Sequence, residues 1–292
     1  MKITSPIRYL IISFVFIVFN MAGVLPLFAQ GGHGPAFGLA TPTGGKGGLS
    51  YNATFMSIAQ DNPTAMMRHT WNYSPTQRLQ LNFSAPTPIQ GAANRPRTRG
   101  GSLMPGFGDI ELSAFYRFHQ NNLGVGKRFE STVITGLSYP IDEKRGGINP
   151  GNAFHIAAVT GYASRSWYFW GGAGWQYYLE KSNEQLGDII YTTGVIGYRP
   201  TYFRENRPNH DWRIFVEGAS EWTGSDHVNE TSVADTDNHK ILIGPSLLGL
   251  YGAWGVSIGA LFPVYEARAL NPETMISGES PRIMVNLSYW FF

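Results

Sequence analysis

The strongest constraint on this chain is a two-residue alternation of apolar and polar side chains that recurs along it and holds to its last residues. In PRIMVNLSYWFF (281–292), Ile283, Val285, Leu287, Tyr289 and Phe291 fall on one face of an extended strand, and Met284, Asn286, Ser288 and Trp290 on the other. Chain ends usually fray unless tied down, so this ending reads as a firmly paired strand. RLQLNFSA (78–85) sets Leu79, Leu81, Phe83 and Ala85 against Arg78, Gln80, Asn82 and Ser84. GDIELSAFYRF (108–118) sets Ile110, Leu112, Ala114, Tyr116 and Phe118 against Asp109, Glu111, Ser113, Phe115 and Arg117. In WRIFVEGASEW (212–222), Trp212, Ile214, Val216 and Trp222 oppose Arg213, Glu217 and Glu221. No segment carries a convincing helical period, and an apolar face repeatedly backs a charged one.

About twelve such strands can be read, at 48–58, 66–74, 78–86, 107–118, 128–139, 152–163, 167–178, 188–199, 212–222, 239–250, 254–263 and 282–292. Glycines inside them, such as Gly171, Gly172 and Gly174, permit curvature and close packing. The connections 75–77, 164–166 and 251–253 are very short, whereas 87–106, 140–151, 223–238 and 264–281 are long. Short turns at one end and long loops at the other are the pattern of an outer-membrane barrel. The connection 201–211 is longer than that rule wants, and the first connection is short.

A soluble sandwich also alternates, so the aromatics decide. Trp212 and Trp222 share a face ten residues apart. At a tilt of ~40° they span about 25 Å, the height of the apolar band between two aromatic girdles. The closing aromatics fit a strand read by the barrel-assembly machinery, although Phe291 rather than Phe292 keeps the register of the apolar face. The expected fold is therefore all-β: a transmembrane antiparallel up-and-down β-barrel of about twelve strands in the bacterial outer membrane.

Lys2 and Arg8 precede the apolar run 9–19, and Leu27, Phe28 and Ala29 offer a cleavage site, which predicts a signal peptide over 1–29. Asn20, Gly23 and Pro26 argue against a membrane helix there. Residues 30–47 form a Gly- and Pro-rich segment without periodicity, followed by the barrel, 48–292. Its one histidine, His33, reads as solvated. Whether residues 31–47 enter the lumen is not written in the pattern.

In such a barrel the polar faces line the lumen. The candidates are Arg68, Arg78, Asp109, Glu111, Arg117, Glu130, Arg213, Glu217 and Glu221, with Lys240 beside them. Their mixed signs predict ion pairs across the interior, serving as bracing or as the field a solute meets. Only 14% of residues are charged and the net charge is +2, which gives no footprint for nucleic acid. The absence of cysteine rules out disulfide staples.

At GFGDIELSAFYRF (106–118) the chain resembles the transporter family named after the MetA pathway of phenol degradation, whose members carry a Gly-x-Gly-Asp strand ending in aromatic-Arg-Phe. Gly106, Gly108, Asp109, Tyr116, Arg117 and Phe118 match. Segments 69–86 and 136–140 are similar to that family too. The resemblance implies a twelve-stranded outer-membrane barrel passing small hydrophobic or aromatic solutes.

No Gly-x-Ser-x-Gly elbow, His-Glu-x-x-His or P-loop is present. His69 and His155 lie in strands without an evident serine partner, and His155 reads as a packed wall residue. The loop 225–239 gathers Asp226, His227, Glu230, Asp235, Asp237 and His239, but without a fixed ligand spacing; it reads as a solvated acidic loop, with no metal or cofactor assigned. Three classes follow. The first is a channel or transporter, not an enzyme. The second is a structural or adhesive barrel whose loops meet lipid and lipopolysaccharide, with Arg95, Arg97 and Arg99 on phosphates. The third is an outer-membrane hydrolase.

Overall fold

An extended alternating segment exposes a row of backbone N–H and C=O groups that only a neighbouring strand can satisfy, and a sheet closed on itself leaves no open edge. The computed structural model describes residues 36–39, 41–42, 44–58, 64–90, 109–141, 145, 147–205, 211–234, 236–267 and 281–291. Its strands are β1 (Gly48–Ile58), β2 (Thr64–Ser74), β3 (Leu79–Gln90), β4 (Asp109–Gly124), β5 (Lys127–Pro140), β6 (Ala153–Ala163), β7 (Trp167–Tyr178), β8 (Glu184–Gln185), β9 (Ile189–Tyr198), β10 (Asp211–Thr223), β11 (His227–Val228), β12 (Thr231–Ser232), β13 (Asn238–Tyr251), β14 (Trp254–Ala267) and β15 (Arg282–Trp290). Twelve of them close an antiparallel barrel in the order β1-β15-β14-β13-β10-β9-β7-β6-β5-β4-β3-β2. The short strands β8, β11 and β12 make a separate small sheet across two of the long loops.

The last strand closes the ring. β15 pairs with β1 from Ser50 opposite Trp290 to Ile58 opposite Arg282. Phe291 donates its N–H to the Leu49 carbonyl at 3.0 Å, and its ring stacks on Trp71 with centroids 6.0 Å apart. The alternation at the chain's end is thus the seam of the barrel. Phe292 lies outside the described residues.

Burial is inverted relative to a water-soluble protein. Leu112, Leu137, Ile196 and Val216 are 54–62% exposed on the outer wall, while Glu130, Arg213, Glu217 and Glu221 are at most 2% exposed inside. That outward apolar belt is suited to hydrocarbon. Trp167, Tyr198, Trp254 and Tyr289 ring its short-turn end, and Tyr139, Trp175, Trp222 and Tyr265 its long-loop end.

The strand boundaries depart from the sequence reading in several places, among them the end of β14, which runs on to Ala267. Residues 119–127, expected as a connection, continue the β4–β5 ladder to a two-residue turn at Val125 and Gly126, with Gln120 opposite Glu130 and Asn122 opposite Arg128. The polar run HQNN hid this hairpin because both of its faces are exposed. β3 runs through Pro86 and Pro88 to Gln90; its ladder with β4 covers only Leu79–Ser84, so the missing N–H groups fall where β4 makes no pair. A short helix, Thr201–Glu205, occupies the long eighth connection.

Candidate functional site

The inner wall carries a set of buried ion pairs. Arg68 meets Glu111 at 2.7 Å, and His155 lies 3.8 Å from the other oxygen of that carboxylate. Arg282 binds both oxygens of Glu221 at 3.0 Å. Arg117 and Arg128 each lie 3.0 Å from Glu130. Asp211 sits between Arg199 and Arg213, each at 2.7 Å. Arg145, from a loop, reaches Asp109, and Lys240 approaches Glu266 at 4.0 Å. Arg213 also stands over the Tyr168 ring, 5.0 Å from its centroid. Charges this deep persist because each has a counter-charge and further hydrogen bonds.

Arg78 is exposed, in the turn before β3 at the short-turn end. The Thr76 hydroxyl accepts the N–H groups of Arg78 and Leu79, at 3.2 and 3.0 Å, and the Arg78 carbonyl accepts from Arg117 N–H at 2.8 Å.

Glu217 is different from the others. It sits at the middle of β10, 1% exposed, and no Arg or Lys faces it among the described residues. Its carboxylate instead accepts the backbone N–H groups of Ala36 at 2.8 Å, Phe37 at 2.8 Å and Gly38 at 3.0 Å, and the hydroxyl of Ser246. Successive N–H groups in a bend form a concave anion site. Residues 36–39 and 41–42 of the aperiodic stretch before β1 therefore lie inside the barrel. Further along it the Thr41 hydroxyl donates to Glu130 at 2.8 Å and the Pro42 carbonyl accepts from Arg117. The chain then joins β1 at the short-turn end, where Gly47 N–H donates to the Ser74 carbonyl at 2.7 Å.

Two inner-wall glycines make room for this segment. A Cβ at Gly172 would stand 2.7 Å from Leu39 Cδ1, and one at Gly259 would stand 2.6 Å from the Phe37 ring. Phe37 packs with Ala36, Ala219, Leu242, Leu261 and Met284, all buried, and with Met56. Leu39 packs on the larger cluster formed by Tyr168, Trp170, Tyr191, Phe215 and their neighbours on β5–β10 and β13, which fills that half of the lumen.

The other half keeps a cavity of about 210 Å³ beside the segment. One wall is hydroxyl and amide: Ser50, Asn52, Thr54, Thr70, Asn72, Gln80, Asn82, Ser84, Asn286 and Ser288. These bond to one another, as in Asn72 to Ser50 at 3.1 Å and Thr54 to Asn286 at 2.8 Å. The Arg68–Glu111–His155 group and Ser113 line the cavity too, and its apolar lining comes from Leu39, Phe115, Ile134, Tyr191 and Leu248, with Met284 and Trp290 flanking Asn286 and Ser288 on the inner face of β15.

At the long-loop end Asp226 is buried rather than solvated. It accepts from Gly187 N–H at 2.8 Å and holds the small sheet over the rim. Among the described residues no cluster of three or more metal-ligating side chains forms; Asp235 lies outside them. Asp188, just outside β9, accepts from Trp175 Nε1 at 3.1 Å and Tyr178 N–H at 3.4 Å; burial pushes its carboxyl above the ordinary carboxylate range. Arg95, Arg97, Arg99, His33 and the expected signal peptide also lie outside the described residues.

Sequence reasoning missed a contact on the outer wall. Ser220 and His239 Nε2 are 2.9 Å apart, with His239 stacked on Trp222 at 4.2 Å. They are 19 positions apart, so only the β10–β13 register brings them together. The pair stands between sheet ladders that engage the backbone on both sides of β10, so among the described residues no pair of free N–H groups beside it forms an oxyanion pocket.

No protein-family model and no curated protein matches the chain. Its fold is similar to that of an outer-membrane channel from Pseudomonas putida F1, with a TM-score of 0.57 at 12% identity over 88% of this chain and 99% of that one. The NanC porin gives 0.44 at 8% identity, over 82% and 98%. LpxR from Salmonella typhimurium gives 0.39 at 10% identity, over 82% and 99%. With the apolar belt and two aromatic girdles, the first of these likenesses defines the class: the chain is a bacterial outer-membrane β-barrel of twelve strands. Within that class it is one whose lumen holds residues 36–39 and 41–42, shortly before its first strand.

Proposed function

We propose that this barrel is a channel for small solutes, held narrow by its N-terminal segment, and a member of the transporter family that its sequence resembles. The observation that carries the reading is the cavity beside the segment. Its lining mixes apolar side chains with hydroxyl, amide and charged groups, which accommodates solutes with an apolar body and a hydrogen-bonding group, a class that includes simple aromatic compounds. The packed half of the lumen and the inserted segment leave no wide aqueous pore, so conductance is small and intermittent.

Purified protein in planar bilayers tests this. Wild type should give brief, low-conductance events. Phe37→Ala, which empties the recess beside Gly259 and loosens the segment, should lengthen them. A folded protein that neither conducts nor admits solutes into liposomes, as wild type and as Phe37→Ala, would defeat the channel reading in favour of a structural barrel.

The Ser220–His239 contact favours a second reading, a hydrolase acting at the lipid-facing wall. Lipid hydrolysis by wild type that disappears in Ser220→Ala would establish it. The ladder pairing on both sides of β10 and the stacking of His239 on Trp222 favour a polar pair set in the aromatic girdle.

A further inference from the structure

We infer that Glu217, Ser246 and the recess now filled by Phe37 form a binding site for small arylalkyl ammonium ions, with the N-terminal segment as its tethered occupant. The inference rests on the channel reading and names a solute class for the same lumen.

Among the described residues Glu217 is buried without a counter-cation, whereas the other lumen carboxylates described above each meet an Arg or Lys. Its charge is tolerated because three N–H groups and one hydroxyl point at it. If the segment withdrew and nothing replaced it, a buried anion would be left with one hydroxyl, which is strongly unfavourable. The segment therefore leaves most readily in exchange for a cation. A primary ammonium carries three N–H donors, no acceptor and a full positive charge.

Phe37 shows what else that cation should carry. Its nitrogen lies 2.8 Å from the carboxylate, and its ring fills a recess walled by Leu242, Leu261, Met284 and Gly259. Nitrogen, Cα, Cβ and ring of Phe37 trace the skeleton of 2-phenylethylamine. The ammonium ion of that compound places its nitrogen on Glu217 and its ring in the same recess. It adds the positive charge that the backbone N–H lacks.

The site and its occupant compete, so apparent affinity falls with the fraction of time that the segment is seated. The test uses purified, folded full-length protein and 2-phenylethylammonium chloride, with 2-phenylethanol as the uncharged control. Ala36 is 4% exposed and the chain has no cysteine, so Ala36→Cys gives a single thiol that reports withdrawal. The ammonium should speed modification of that thiol at least about fivefold, and the alcohol should not. In calorimetry, Glu217→Gln should weaken ammonium binding by about tenfold or more. Phe37→Ala should tighten it by about tenfold, because truncating a buried aromatic weakens the competitor. A merely structural role for Phe37 predicts the opposite sign. Equal response to the alcohol, wild-type affinity in Glu217→Gln, or weaker binding in Phe37→Ala would each overturn the site. None of these readouts depends on flux. A protein that conducts but ignores the ammonium refutes the site alone, and one that binds the ammonium but never conducts refutes the channel alone.

Discussion

Glu217 shows where sequence reading stops at the scale of single residues. Its place on the inner wall follows from alternation with Val216 and Gly218. Its partner does not, because backbone N–H groups about 180 positions away carry no sequence signature. The recoverable signal was steric: Gly172 and Gly259 stand on inner faces where bulkier neighbours fill the lumen. Arg78 differs from the buried charges in exposure, because it sits in a local turn at the end of β3. The remaining charges were legible as a face but not as pairs. The Glu221–Arg282 contact joins residues 61 apart on strands that are not adjacent in the barrel, and only the closed ring brings them together. Arg282→Ala takes the two-point guanidinium contact from buried Glu221, leaving only Lys240 opposite it on β13, and should cost about 3–5 kcal/mol of unfolding free energy. Urea titration in lipid vesicles measures it. The apolar pair Glu221→Leu with Arg282→Met should recover most of the loss, and a null effect of Arg282→Ala would mean that water already reaches the carboxylate.

At the scale of elements, the twelve strands were readable because lipid outside and charge inside force opposite character onto alternate residues. Where that contrast vanished, the reading failed. The tip of the β4–β5 hairpin is exposed on both faces, and the segment at 36–42 meets its contacts through turns and main chain. The long-loop cap was likewise read as solvent-borne, although Asp226 and Asp188 tie it down. Asp188 gives the cap a pH dependence. Its carboxyl is raised above 3.8 by burial, so the native state keeps a proton that the unfolded state has already released. Stability from this group is present at low pH and declines as pH rises from about 3.8 through the raised value. Asp188→Asn should flatten the unfolding free energy across that window. The same slope in both proteins would place the titration elsewhere.

At the scale of the whole molecule, orientation decides what the inserted segment can respond to. Barrels of this class keep short turns on the periplasmic side and long loops outside. β1 starts and β15 ends at the short-turn end, and the segment joins β1 there. It therefore rises into the lumen from the periplasmic side, and withdrawal is a periplasmic motion. A solute arriving from outside meets the charged upper wall first, with Arg68–Glu111 and Glu221–Arg282, and reaches Glu217 only at mid-depth. Single cysteines locate each end without interference, since the chain has none of its own. Lys181→Cys and Thr231→Cys, exposed at the long-loop end, should react with a membrane-impermeant thiol reagent on intact cells. Val125→Cys and Arg165→Cys, exposed at the short-turn end, should react only after the outer membrane is permeabilised. The reverse pattern would turn the barrel over: the segment would then enter from the cell exterior, and its release would answer to solutes inside the periplasm.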